Sequence, residues 1–249
     1  DTLNITSGTF RPNSGGDTLD VNDNVTIDGG TLGGNGANGE WDFKSIYQTS
    51  GTIDATSASI IISGENDNYA IDLDGTFTDN SGTVEINTGS DTNIDIAGTG
   101  NLYNLIIDTN TNTVTNKNAA IIDNNITIES GILDLDANLA TPAMQIQSGA
   151  EFDIKGDNSF TLNSGGQVDI DGYFNITSGD AININVSSTN VTFNLTNTNN
   201  VAINKVPYQP PNPENVTVFK FINLTEIGAS PTVDINITYE EGDPPSGND

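Results

Sequence analysis

A chain of 249 residues with 34 acidic side chains against six basic ones, a formal charge of -28 and neither cysteine nor histidine can bury a substantial core, yet it excludes several classes of function. Binding nucleic acid or anionic lipid needs clustered Lys and Arg, whereas Arg11, Lys44, Lys117, Lys155, Lys205 and Lys220 are scattered. Ser-His and Cys-His nucleophiles and disulfides are impossible, no apolar run reaches bilayer length, and the start at Asp1 reads as a mature, processed chain.

In chain order, the first unit is Asn4-Ile5-Thr6-Ser7-Gly8-Thr9-Phe10: a strand alternating polar and apolar residues, a Ser-Gly corner, and a second strand starting at once. Residues 11–17 read as a polar loop. The unit returns as Asn24-Val25-Thr26-Ile27-Asp28-Gly29-Gly30-Thr31-Leu32, and again as Asn125-Ile126-Thr127-Ile128-Glu129-Ser130-Gly131-Ile132-Leu133. Residues 33–39 are rich in Gly and Asn and predict a loop or insertion. Trp41, Phe43, Ile46 and Tyr47 form the densest aromatic cluster, read as a cap or lateral core patch. From Gly8 and Gly30, corner glycines come at Gly51, Gly82, Gly131, Gly149, Gly165 and Gly179, at intervals of 22, 21, 31, 49, 18, 16 and 14 residues. Intervals near twenty suit one coil of a parallel β-helix, and the longest gap predicts a hidden coil around Ile94, Ile96, Leu102 and residues 105–107. A sandwich of short strands has a similar density of turns, but the likeness of the repeats favours a solenoid. Roughly nine coils rising about 4.8 Å each would make a rod some 40 Å long. Apolar columns would lie inside, Asn and Thr ladders outside, and both ends would be open.

Near Ile182 the glycine corners thin out. The expected division is a β-solenoid over 1–181 and a C-terminal strand segment over 182–249, with a Pro-rich connector at 206–214 and an acidic tail. Strands are predicted at 216–224 and 233–239, forming a small antiparallel sheet or half-sandwich that packs on the rod's end or on a partner. Val216, Val218, Phe219, Phe221, Val233, Ile235 and Ile237 are the candidate assembly residues, by strand addition to a neighbouring copy.

Asn-X-Ser/Thr occurs at Asn4, Asn24, Asn125, Asn175, Asn185, Asn190, Asn194, Asn215, Asn223 and Asn236; their density marks them as candidate N-glycosylation sites of a secreted protein. Paired acids stand at Asp72 and Asp74, Asp134 and Asp136, and Asp169 and Asp171, each pair on the solvent side of a strand because an apolar residue separates its members. A solvated face is the plainer reading. Stacked on successive coils, the same pairs would offer oxygen ligands to Ca2+, although neither the EF-hand loop nor the calcium-binding nonapeptide is present. Two opposed carboxylates are also what a polysaccharide hydrolase needs, and a lyase would want Arg or Lys as base beside Ca2+. Trp41, with Tyr47 and Tyr69, is either a sugar-stacking platform or core packing; packing is favoured.

The stretch Gly100-Asn101-Leu102-Tyr103-Asn104-Leu105-Ile106-Ile107, together with residues 120–138, resembles the coil repeats of adhesin-like parallel β-helix surface proteins of bacteria and archaea. Residues 215–239, beginning Asn215-Val216-Thr217-Val218-Phe219, are similar to segments of archaeal surface-layer and extracellular glycoproteins. The resemblances imply a cell-surface location and a structural or adhesive role. The chain is therefore expected to be all-β, a parallel β-helix followed by a small antiparallel sheet. Its expected role is a non-enzymatic, glycosylated extracellular subunit that polymerises through its ends or edges into a filament, sheath or surface layer, requiring no cofactor although Ca2+ is a candidate ligand. The alternatives are an adhesin binding cell-surface polysaccharide and, third, a polysaccharide lyase or hydrolase.

Overall fold

The computed structural model describes residues 1–12, 16, 18–33, 38–155, 158, 160–170 and 172–176, and the strands Ile182–Val186, Val191–Thr196, Val201–Val206, Phe221–Glu226 and Thr232–Ile237. Side chains are described as far as Thr161 and again at Val168, Gly172 and Phe174; the remaining strands are described by their backbone. No helix occurs among the described residues.

The chain winds into a parallel β-solenoid of about seven turns whose cross-section has three walls, A, B and C in order of winding. On wall A, Leu19, Trp41, Ile60, Val84, Leu105, Ile126, Met144 and Val168 pair in succession, at steps of 18 to 24 residues. On wall B the succession is Leu3, Val25, Ile46, Ile71, Ile94, Asn116, Leu135 and Ile154. Wall C begins as Phe10, Leu32, Ile53 and Phe77. At about 4.8 Å per rung, seven turns make a stack some 34 Å tall, shorter than the nine coils expected from counting corners. The hidden coil is present: residues 92–95 and the strand Leu102–Asn116 supply it.

The alternation of the sequence explains the walls. Every second residue turns inward and meets its counterpart one rung away, so Val25, Ile27, Phe43, Ile62, Ile86, Ile107, Ile128 and Ile146 fuse into one dry column system. Each such side chain contributes about 1.5–3 kcal/mol that an isolated coil has no means to capture. Phe152, Phe160 and Phe174 close the upper part edge to face, at centroid distances of 4.9–6.2 Å.

The uneven corner intervals have a simple cause. Ser7-Gly8, Gly29-Gly30 and Ser50-Gly51 turn from wall B to wall C; Ser81-Gly82 and Ser164-Gly165 turn from C to A; Ser130-Gly131 and Ser148-Gly149 turn from A to B. The same dipeptide thus serves all three corners, so the intervals mix whole coils with thirds of a coil. Only same-corner glycines stack: a Cβ on Gly51 would lie 2.3 Å from the Gly30 carbonyl oxygen, and one on Gly98 would lie 2.1 Å from that of Gly75. Gly75 and Gly98 belong to this column without a preceding Ser, which hid them from the corner count.

Above the last full coil the strand sense changes. On wall B, Tyr173–Ile176 pairs antiparallel with Val201–Val206, which pairs antiparallel with Phe221–Glu226. On wall A, Phe160–Ile170 pairs parallel with Ile182–Val186, followed antiparallel by Val191–Thr196 and Thr232–Ile237. The expected small antiparallel sheet therefore exists as upward extensions of walls A and B. Of the strand predicted at 216–224, residues 221–224 are seen, and of the one at 233–239, residues 233–237; of the connector expected at 206–214, Val206 instead ends the strand Val201–Val206, paired with Phe221, and 207–214 lie outside the described residues.

Candidate functional site

Wall B carries the strongest electrostatic pattern. Its outward positions stack Tyr47 on Asp72 and Asp72 on Asp95 in the lower coils, and Thr115 on Asp134 and Asp134 on Asp153 in the upper ones. Like charges on adjacent rungs repel, and the two halves answer this differently. Asp72 has no cationic neighbour among the causes acting on it; burial, with the Asp74 and Asp95 carboxylates adding, pushes its pKa up to about 6. In the upper half Lys155 Nζ donates to Asp134 Oδ2 at 2.6 Å and lies 3.6 Å from Asp153 Oδ2, while Lys117 pairs with Asp136. Lys117 and Lys155 thus stand on this one wall, and Lys205 lies in the strand Val201–Val206 that extends it.

Asp134 departs from the solvated face expected of it. It is only 6 % exposed, and its Oδ1 is buried without a hydrogen-bond partner. Burial raises its pKa although the hydrogen bond and charge of Lys155 oppose the shift. For Lys155, burial alone would lower the pKa, but the bond to Asp134 and the carboxylates of Asp134 and Asp153 outweigh it and raise it. On wall A, burial and the neighbouring Asp20 raise Asp42 in the same way.

Of the candidate calcium ligands, Asp72 and Asp74 share one edge of wall B, whereas Asp134 and Asp136 already hold lysines. The backbone of Asp169 pairs with Gln145 on wall A, and Asp171 lies outside the described residues. Among the described residues no three acidic groups gather closely enough to hold a metal ion. Trp41 is fully buried, its ring tilted against that of Phe43 at a centroid distance of 6.0 Å, so the sugar-stacking role weighed for it is ruled out; Tyr47, 37 % exposed, and Tyr69 face outward along wall B.

Three candidate glycosylation sites have described side chains, Asn4 and Asn24 on wall B and Asn125 on wall A. Asn4 is exposed, Asn24 is half-buried and accepts a bond from the Ser45 hydroxyl at 2.9 Å, and half-buried Asn125 donates its Nδ2 to Thr127 at 2.8 Å. Asn175, Asn185, Asn194, Asn223 and Asn236 lie in strands whose backbone alone is described, and Asn190 and Asn215 lie outside the described residues. The same holds for the assembly residues: Phe221, Val233, Ile235 and Ile237 are in strands, and Val216, Val218 and Phe219 fall outside.

Two buried amides were missed in the sequence. Asn116 stands in wall B's inward column between Ile94 and Leu135, fully buried, with both amide atoms unpartnered. Gln48, equally buried one column over, donates Nε2 to the carbonyls of Gly51 and Thr76, which leaves only its Oε1 unpartnered. Each interrupts a run of apolar residues, and that interruption is the one sequence signal that would have found them.

At the foot of the rod, Leu3–Ile5, Thr9–Phe10 and residues 19–21 pair upward, with no rung beneath them among the described residues. Phe10 is 39 % exposed although Leu32 and Ile53, above it in the same column, are fully buried. At the opposite end Phe221–Glu226 and Thr232–Ile237 each have one paired edge among the described residues. Comparison with protein families, with curated proteins and with solved structures finds no match to this chain.

Proposed function

We propose that this chain is a structural subunit of an extracellular, glycosylated assembly, a filament, sheath or surface layer built by contacts between the ends of its rods. The observation that carries this reading is the contrast between sides and ends. Laterally the solenoid is a closed winding whose outward positions are mostly polar or charged, with Ile121 and Tyr47 the large apolar exceptions, whereas the foot leaves strand edges that are unpaired among the described residues and a half-exposed core phenylalanine. Unpaired edges recruit further strands, and heterologous contacts between ends propagate without closing. The density of Asn-X-Ser/Thr sites and the likeness to surface-protein repeats support the extracellular setting.

A charge of -28 opposes association, so assembly depends on screening, and divalent cations screen best. Negative-stain images and light scattering across a concentration series, with Ca2+ and then with chelator, test both parts. Filaments or sheets of ordered repeat are expected, growing with Ca2+ and receding with chelator. A protein that remains monomeric at every concentration and ionic strength would sink the proposal, and indifference to chelator would remove its cation component.

A further inference from the structure

We infer that the partner of the C-terminal sheet is the foot of a second copy of this chain, stacked head to tail with wall A above wall A and wall B above wall B. The inference rests on the assembly reading above and specifies its contact.

Strand sense carries it. On wall B two reversals separate Tyr173–Ile176 from the outermost strand, Phe221–Glu226, so that strand runs in the sense of the coils below. On wall A, Ile182–Val186 keeps the coil sense, and two reversals then bring Thr232–Ile237 back to it. An odd number of reversals on either wall would have left one edge antiparallel to the coils. With both restored, the top of the rod offers, among the described residues, two edges that run like the lowest rungs of the same chain, Leu3–Ile5 on wall B and residues 19–21 on wall A. A second copy set on top by translation and a modest rotation therefore continues both ladders in parallel, as every pair of coils within the solenoid already does.

The foot is chemically fit for this. Leu3 and Leu19 are only partly buried at the bottom of columns whose higher members are closed off. These are core residues with no rung below them among the described residues, and a strand layer of another copy completes their burial. Wall C has no counterpart among the described C-terminal strands, so the contact runs along two walls. The resulting filament is polar, each copy presenting its foot to its neighbour's head.

The chain has no cysteine, so introduced thiols report the contact without interference. The full-length variants Asn4→Cys and Asn223→Cys mark wall B at foot and head, and Asp20→Cys and Asp234→Cys mark wall A. Each variant is mixed pairwise under assembly conditions and treated with a short bis-maleimide. Foot-to-head products on the same wall are expected to exceed foot-to-foot, head-to-head and cross-wall products by roughly tenfold or more, the ratio set by about 1.4 kcal/mol of preference. As a second measurement, Leu3→Asp, with its melting temperature checked against the parent, should raise the concentration needed for assembly about tenfold or more. Filaments that cross-link foot to foot, or with no wall preference, overturn this inference while leaving the assembly reading intact; absence of any assembly overturns both.

Discussion

Residues 24–32 and 125–133 are nearly the same phrase set in two places. The first runs along wall B and turns onto wall C; the second runs along wall A and turns onto wall B. Their apolar residues are equally buried, Val25, Ile27 and Leu32 in one and Ile126, Ile128 and Leu133 in the other. Their joints with neighbouring coils are also built alike. Asp28 accepts from Thr49 at 2.8 Å and from the corner hydroxyl of Ser50 at 3.4 Å, and Asp108 accepts from the corner hydroxyl of Ser130 at 2.6 Å. The phrase therefore encodes a corner between two walls, without specifying which corner, and the coil emerges from the stacking of three such corners.

The sharpest way to break this equivalence is at the glycines. Gly51 and Gly131 both have φ near +80°, and a Cβ on either would lie well inside contact distance of a backbone carbonyl, that of Gly30 or of Asn112. Gly51→Ala and Gly131→Ala should each cost about 3 kcal/mol by urea denaturation, although the corners belong to different walls. A loss below about 1 kcal/mol at either site would mean that its corner is a free turn.

The second-largest effect lies one position beyond the phrase, where the first copy has Gly33 and the second has buried Asp134. Lys155→Met, which leaves that carboxylate without its cation, should destabilise by about 2 kcal/mol, and adding Asp134→Asn should recover most of the loss. An unchanged urea midpoint in the single variant would show that the pair contributes nothing.

Behind the same wall, the two buried amides predict opposite signs. Asn116→Val removes two unpartnered polar atoms from an apolar column and should stabilise by roughly 1–2 kcal/mol, raising the melting temperature by about 3–6 °C. Gln48→Leu takes the donor from two carbonyls and should destabilise by about 1 kcal/mol. Effects of the same sign at both sites would refute the distinction.

The smallest effect is a pH dependence in the lower half of wall B. The folded pKa of Asp72, about 6, stands above its ordinary value of 3.8, so between these values the folded state keeps a proton that the unfolded state releases. Stability from this group therefore falls as pH rises through that window and is lost above it. Because the carboxylate is still partly open to solvent, screening limits the effect to about 1 kcal/mol or less. Urea midpoints at pH 5 and pH 7 should converge in Asp72→Asn relative to the parent; identical slopes would remove Asp72 as the source.

Much of the architecture was legible because β-structure writes itself in a two-residue period, and a coil too small for its own core must repeat. Alternation and repetition sufficed for the solenoid, the hidden coil around Ile94 and the antiparallel strands after Ile182. The coil count was not legible, because a Ser-Gly dipeptide satisfies the backbone of any sharp corner, so Gly82 and Gly131 were counted on one scale with Gly8, Gly30 and Gly51. Nor was the environment of wall B: alternation puts Asp72 and Asp134 on the outer face alike, but whether a lysine covers a carboxylate depends on which coil lies one rung away. Trp41 could be placed only when wall A took Ile60 as its partner and sealed the indole inside.

By itself, then, the order of residues determined that strands alternate, that corners are glycine-bearing and that the chain carries a large negative charge, since these arise from local geometry and counting. Tertiary structure alone decided which corners stack, which acids meet lysines, and that both terminal edges run in the sense of the coils. Those outcomes depend on register between residues some twenty positions apart, which no local pattern records.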